Sequence, residues 1–471
     1  MWNFNQYSDN VALLSDDGIT VTYSMLMKEC KKLREIISEK SLVFCMCSNT
    51  VGSVISYVAS IENEIVPILL NESVEGELYK ALLDTYKPNY IFRKKTEAND
   101  RASVCYEVYN YELIKWSDYK HSFNDDLALL LTTSGSTGSP KFVRQSYENI
   151  KVNAEQIVEY LGLRSDERAI TTLPMNYTYG LSIINSHLLV GATILLTDKG
   201  LMQREFWQFF KESKATSFGG VPYTYEMLYK LRFLRMDLPY LRYMTQAGGK
   251  LSPELHKEFA TYADKTGKKF IVMYGQCEAT ARMSYLPGNV SIEKCGFVGV
   301  PVPGGRFELI DIDGEIITES NTPGELVYYG KNVTLGYANS PDDFILGDER
   351  HGRLETGDIA LVDEEGYYKI VGRKKRFLKV YGNRVNLDEL NGLIKRKYEN
   401  IEAVCAGYDD HVYVFIENSG GIPDLTDNII KYLSSKTKLN PSAFTIREIN
   451  SIPRNDSGKI LYKELEHYYE L

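Results

Sequence analysis

The sequence predicts an α/β protein with a large N-terminal body built on parallel-sheet subdomains, a small β-rich subdomain, and a small C-terminal α+β domain. Three observations carry this. The apolar runs Leu42–Cys47 and Ile65–Leu70 flank a stretch of helical spacing, Thr50–Ile61, and a strand–helix–strand unit favours parallel strands. Strand and helix patterns then alternate from residue 150 to 273. From about Gly304 the texture changes to short strands punctuated by turns, as at Asp313-Gly314 and Glu365-Gly366.

Taken in order, the spacing predicts helix over Ile150–Leu161, strand over Ala169–Leu173, helix over Leu181–Leu189 and strand over Thr193–Leu196. Helix follows near Phe206–Lys211, strand at Thr216–Phe218, helix at Tyr223–Leu231 and strand at Phe270–Met273. Next come strands at Phe307–Ile310 and Gly324–Tyr329, and a hairpin of Ala360–Val362 with Tyr367–Ile370. Beyond Arg373 the pattern gives helices near Leu387–Lys397 and Asp427–Ser435, with strands near Ala403–Ala406 and Val412–Ile416. The expected domains are residues 1–372 and 373–471, joined near 372–376.

Composition narrows the function. The 471 residues are 44% apolar and 25% charged, the balance of a soluble globular chain, and are too many for one core. A net charge of −9 argues against general nucleic-acid binding, which needs excess Lys and Arg to meet phosphate. The start, Met1-Trp2-Asn3-Phe4, has no signal-peptide pattern, and Leu42–Ala59 is too polar and short to span a bilayer. Seven scattered cysteines and six scattered histidines form no zinc pattern, so a cytoplasmic protein with reduced thiols is expected.

The most informative segment is Thr132 to Lys141, which follows the apolar strand Leu127–Leu131. Thr133, Ser134, Gly135, Ser136, Thr137 and Gly138 are small enough for backbone N–H groups and hydroxyls to converge on phosphate oxygens, and Lys141 adds charge. It is not a Walker loop, because Pro140 precedes Lys141 and Phe142 follows. This segment resembles the signature loop of the adenylate-forming superfamily: acyl-CoA synthetases, adenylation domains of peptide synthetases and luciferases. Five further segments in family order strengthen the resemblance, which spans about residues 20 to 471.

Each segment brings an implied role. In Tyr274-Gly275-Gln276-Cys277-Glu278 the resemblance implies an aromatic packed on adenine and a Glu that coordinates Mg²⁺ between the ATP phosphates. The family usually has Thr where this chain has Cys277, and a thiol is the poorer hydrogen-bond donor. Gly248 and Gly249, in Gln246 to Leu251, resemble a wall of the adenine and acyl pocket. Asp358, in Thr356-Gly357-Asp358, matches the Asp that binds both ribose hydroxyls. Gly372 to Lys379, with Gly382 and Arg384 beyond, resembles the inter-domain hinge; Arg373 would lie near the nucleotide and Lys375 at the pivot. The competing reading there is a solvated basic stretch. Pro453 to Lys459 matches the loop carrying the catalytic Lys, here Lys459.

The activity implied is ligation of a carboxylic acid in two halves. ATP and Mg²⁺ give an acyl-adenylate and pyrophosphate, with Lys459 bridging carboxylate and α-phosphate. A mobile C-terminal domain then turns about Lys375, and CoA or the phosphopantetheine of a carrier protein takes the acyl group near Gly382. An amine acceptor or a non-catalytic nucleotide-binding homologue are the alternatives. Leu173 to Leu181 resembles the substrate-pocket motif. Amino-acid-activating relatives place an Asp at the position of Thr178; its absence disfavours an ordinary α-amino acid, because a buried ammonium needs a counter-charge. Tyr177 would gate the pocket, with Gly219, Val221 and Met283 lining the rest.

Overall fold

Continuous apolar runs become strands covered on both faces, and that requirement organises the N-terminal part of the chain. The computed structural model describes residues 1–74, 76–95, 104–132, 141–381, 383–398, 401–417, 424–454 and 460–469. Leu42–Cys47 is buried at every position and pairs parallel with Val66–Asn71, Leu42 opposite Val66. The crossover helix Val51–Glu62 is buried along nearly its whole length. It tolerates three serines there because Ser56 and Ser60 donate to the carbonyls of Ser53 and Ser56, both at 2.7 Å. Among the described residues no helix is long and apolar enough to cross a membrane. All seven cysteines are free thiols.

The chain forms two compact units. The first holds Met1–Phe307 and Tyr328–Leu354, the second Glu308–Val327 and Glu355–Leu471, so residues 308–327 and 355–372 group with the C-terminal part.

The first unit contains two large mixed sheets. One has Leu127–Thr132, Val66–Asn71, Leu42–Cys47 and Tyr90–Lys94 parallel at its centre. Phe142–Ser146 and then Gly336–Ala338 extend one side of it antiparallel. The other has six parallel strands in the order Lys269–Tyr274, Tyr243–Gln246, Ser217–Gly220, Arg168–Ile170, Thr193–Leu196, Val11–Ser15. The predicted helices are found at Tyr147–Leu161, Thr178–Leu189, Arg204–Glu212 and Pro222–Lys230. The first gains a turn at its start from the reciprocal cap between Ser146 and Asn149.

The second unit carries the hairpin Arg353–Val362 with Tyr368–Arg373, Asp358 opposite Arg373. Beyond it, the strands Ala403–Tyr408, His411–Glu417 and Phe444–Ile449 form a sheet. The helices Leu387–Lys397 and Leu425–Thr437 pack on it through Leu390, Ile394, Ile429 and Leu433. The fold class is the predicted mixture of a parallel α/β body and a C-terminal α+β part. Among elements not assigned from the sequence, Tyr23–Ile36, Gly76–Tyr86 and Pro253–Lys265 are helices.

Candidate active site

Four neighbouring parallel strands of the second sheet end on predicted site residues. Lys269–Tyr274 runs into Gly275 to Glu278, Tyr243–Gln246 into Gly248 and Gly249, Ser217–Gly220 contains Gly219 and precedes Val221, and Arg168–Ile170 leads towards Tyr177 and Thr178. Carboxyl ends of parallel strands are where open α/β sheets receive ligands, because connecting loops there are free of the hydrogen-bond ladder. Residues as far apart in the chain as Tyr177 and Glu278 are gathered by strand order alone.

Two glycines are needed for this convergence. A Cβ on Gly275 would sit 1.6 Å from the Ala281 carbonyl oxygen, so only glycine lets the turn close over the strand end. Gly248 has φ +83°, and a Cβ there would meet Tyr177 Oη at 2.6 Å and Val221 Cγ1 at 3.1 Å. Tyr177, Val221 and Gly248 are therefore in mutual reach, and burial pushes the Tyr177 hydroxyl pKa upward. Met283 is fully buried, and its N–H donates to the Tyr274 carbonyl at 2.9 Å. Gln276 Nε2 donates to Tyr274 Oη at 3.3 Å.

Two positions singled out in the sequence prove to be one contact. Thr178, at the first turn of its helix, donates from Oγ1 to Cys277 Sγ at 2.9 Å. Where position 277 has lost a hydroxyl, position 178 supplies one alongside it.

Glu278 lies in the short turn Cys277–Ala279. Its backbone carbonyl accepts from Thr334 N and Thr334 Oγ1, both at 3.0 Å, and from Arg350 Nη1 at 3.2 Å. Its carboxylate accepts from Tyr337 Oη at 2.8 Å. Lys141 Nζ lies 3.3 Å from the centre of the Tyr337 ring, and the Arg350 guanidinium 4.6 Å from it. Burial first, then the Glu278 carboxylate, push the Tyr337 hydroxyl up to about 12. Tyr337 sits on an edge strand paired with the strand after Lys141, opposite Val143, which brings the two side chains together. Arg144, fully buried, fixes that edge through the Tyr337 carbonyl at 2.9 Å and Glu349 Oε2 at 2.5 Å.

Tyr337, Arg350, Thr334 and Arg144 were not found by sequence reasoning. Tyr337 is one of 35 tyrosines, and its only signal is a strand pairing that no local pattern displays.

In the second unit, Asp358 accepts from Arg373 Nε at 2.9 Å, with the carboxylate buried and the guanidinium largely exposed. Thr356 Oγ1 accepts from Asp358 N at 3.1 Å, shaping the turn around Gly357. Lys374 pairs with Glu325 at 2.6 Å and Arg376 with Asp388 at 2.9 Å. The basic run is thus paired at three of its positions and is not simply solvated. Lys375 lies in the turn Lys374–Arg376, its side chain outside the described residues. Thr133, Ser134, Gly135, Ser136, Thr137, Gly138, Gly382 and Lys459 also lie outside the described residues.

Among the described residues no group of three or more His, Cys, Asp or Glu could cage a metal. Mg²⁺ asks for less: it takes one or two carboxylates and fills its octahedron with phosphate oxygens and water. Glu278 meets that demand, since among the described residues its carboxylate has a neutral hydroxyl and no cation as hydrogen-bond partner.

The site joins strand-end loops opened by glycines to a carboxylate and two cations gathered on one tyrosine, in an α/β body of enzyme type. The family model for AMP-binding enzymes matches residues 1–338. The chain belongs to the AMP-binding, adenylate-forming enzyme family. It is 29% identical over 360 residues to an oxalate–CoA ligase of Arabidopsis thaliana, covering 74% of this chain and 68% of that one. It is 28% identical to a long-chain-fatty-acid–CoA ligase of Escherichia coli, covering 72% of this chain and 61% of the relative. Among solved structures, o-succinylbenzoate CoA synthetase of Bacillus subtilis in complex with an acyl-adenylate superimposes with TM-score 0.78 at 21% identity, covering 98% and 97% of the two chains.

Proposed function

We propose that this protein activates a carboxylic acid with ATP as its acyl-adenylate, releasing pyrophosphate, and passes the acyl group to a thiol, that of CoA or of a carrier protein's phosphopantetheine. The observation that carries this reading is the Glu278–Tyr337–Lys141 arrangement, which sets a carboxylate suited to one metal ion beside two cations suited to phosphate. Mg²⁺, when bound at Glu278, would neutralise charge on the triphosphate. The relatives named as CoA ligases support the thiol acceptor.

In this reading Lys141 and the 133–138 loop hold the phosphates, and Tyr274 packs on the adenine beside Gly248 and Gly249. Asp358 accepts from the two ribose hydroxyls and is aligned by Arg373. Tyr177, Thr178, Gly219, Val221 and Met283 form the acyl pocket. Thr178 supplies no charge, which disfavours an ordinary α-amino acid as the substrate. Lys459 bridges the incoming carboxylate and the α-phosphate. Catalysis is by positioning and charge stabilisation, and no side-chain nucleophile is needed. The working division is an adenylation core, 1–372, and a mobile domain, 373–471, pivoting at Lys375. The Thr178 hydroxyl beside Cys277 speaks against a degenerate, non-catalytic site.

ATP-dependent pyrophosphate release across fatty, aromatic, hydroxy, dicarboxylic and amino acids, with hydroxylamine to trap adenylates, tests the reading. Release stimulated by one acid class and lost in Lys459→Ala is expected. Silence across the panel, or full activity in Lys459→Ala, would sink it.

A further inference from the structure

We propose that Tyr337 is a positioning residue that holds the metal-binding carboxylate of Glu278 and the phosphate-binding cation Lys141 side by side without letting them neutralise each other. The inference rests on the proposed roles of Glu278 and Lys141 and extends them to a residue that no motif marked.

A lysine and a glutamate brought to one spot ordinarily form a direct ion pair, and such a pair would have to break before either partner could receive its ligand. Here the Tyr337 ring stands between them. Its hydroxyl donates to Glu278 Oε1 at 2.8 Å, and Lys141 Nζ rests 3.3 Å from the ring centre. A neutral donor fixes one carboxylate oxygen and leaves the charge of the group in place, with the second oxygen open to a metal. The ring holds the ammonium by a cation–π contact, weaker than a desolvated ion pair, so the ammonium is aligned and still able to turn to phosphate.

Arg350 completes the arrangement. It lies over the same ring at 4.6 Å and donates to the Glu278 carbonyl at 3.2 Å, tying the ring to the turn that carries the carboxylate. Two cations and one carboxylate leave the cluster net positive before any metal arrives. Tyr337 is held from behind: the buried Arg144 bonds its carbonyl, and a Cβ on Gly336 would meet Glu349 Oε2 at 2.2 Å and Arg144 Nη2 at 2.7 Å.

The test is calorimetric titration of the full-length protein with ATP, with and without Mg²⁺, for the wild type, Tyr337→Phe and Tyr337→Leu. The Mg²⁺ requirement of pyrophosphate release is measured alongside. Tyr337→Phe keeps the ring and loses the donor. Its metal-free ATP affinity should stay within twofold of wild type, while the tightening by Mg²⁺ shrinks about tenfold and the half-saturating Mg²⁺ rises about tenfold. Tyr337→Leu should in addition weaken metal-free ATP binding, because Lys141 loses its platform. If Leu fails to fold, the Phe variant decides alone. An unchanged Mg²⁺ dependence in Phe, or an equal loss of affinity with and without metal, would overturn the inference. A wild-type Mg²⁺ dependence in Glu278→Gln would instead overturn the metal role of Glu278, and with it the reading on which this inference stands.

Discussion

The two carboxylates assigned to the nucleotide are held in opposite ways. Glu278, in the first unit, is bonded by a neutral hydroxyl while its nearby cations are parked on an aromatic ring. Asp358, in the second, is buried and engaged directly by Arg373 at 2.9 Å. The difference follows from what each would bind. A carboxylate meant for a divalent cation must keep its charge uncommitted, since a resident ammonium competes for the same oxygens. A carboxylate meant for a vicinal diol needs orientation and two acceptor lone pairs, and an adjacent guanidinium supplies the orientation.

The contrast can be broken by substitution. The largest effect should come from Glu278→Gln: adenylate formation falls by about 10²–10³-fold, on the scale of losing one preorganised electrostatic group. The loss should not be recovered by raising ATP. Asp358→Ala should act mainly on ATP KM, raising it about tenfold with kcat less affected, as expected for a group that positions the nucleotide. Equal kinetic signatures in steady-state assays would erase the distinction.

A second comparison sets polar groups assigned to a ligand against two that serve the core. His187 is fully buried between the Ile183 carbonyl at 2.8 Å and the Tyr243 hydroxyl at 2.9 Å, and burial pushes its pKa down to about 4. His256 is likewise pushed down to about 4 by burial. Because the folded state holds these rings neutral, the unfolded chain binds more protons once pH drops below about 6.5. Stability is full above that value and is lost as pH falls towards 4, by about 3 kcal/mol for a fully buried ring. His187→Gln should reduce the acid slope of urea midpoints between pH 6.5 and 4. An unchanged slope would show that the ring is not held neutral.

The smallest effect is expected at Cys277. With the Thr178 hydroxyl 2.9 Å away, Cys277→Thr should change the adenylation rate by less than about threefold. Thr178→Val should slow the wild type more than it slows the Cys277→Thr variant. Additive effects in that double-mutant cycle would show that the two positions act separately.

Local pattern made much of this molecule legible. Leu42–Cys47, Thr193–Leu196, Gly324–Tyr329 and Leu387–Lys397 occupy the predicted spans, because uninterrupted apolar runs and a 3.6-residue period depend only on neighbours in the chain. The helix Tyr23–Ile36 was not assigned: lysines and other polar residues dominate it, and the stripe of Leu26, Cys30 and Leu33 that it buries is narrow. At the site, Glu278, Asp358 and Lys141 stood out through short segments of unusual composition. Tyr337 and Arg350 did not, since their roles come from a strand pairing and a ring stack across nearly 200 residues of chain.

The sequence by itself determined the family and the α/β class, and it singled out segments whose composition is locally unusual: the small residues after Leu131, the Glu after Cys277 and the Asp after Gly357. Tertiary structure alone decided that Thr178 answers Cys277 and that Tyr337 stands between Lys141 and Glu278. The physical reason is common to both. A hydrogen bond or cation–π contact is satisfied by proximity within a few ångströms, and proximity between distant segments is set by strand order and register, which no single stretch of sequence contains.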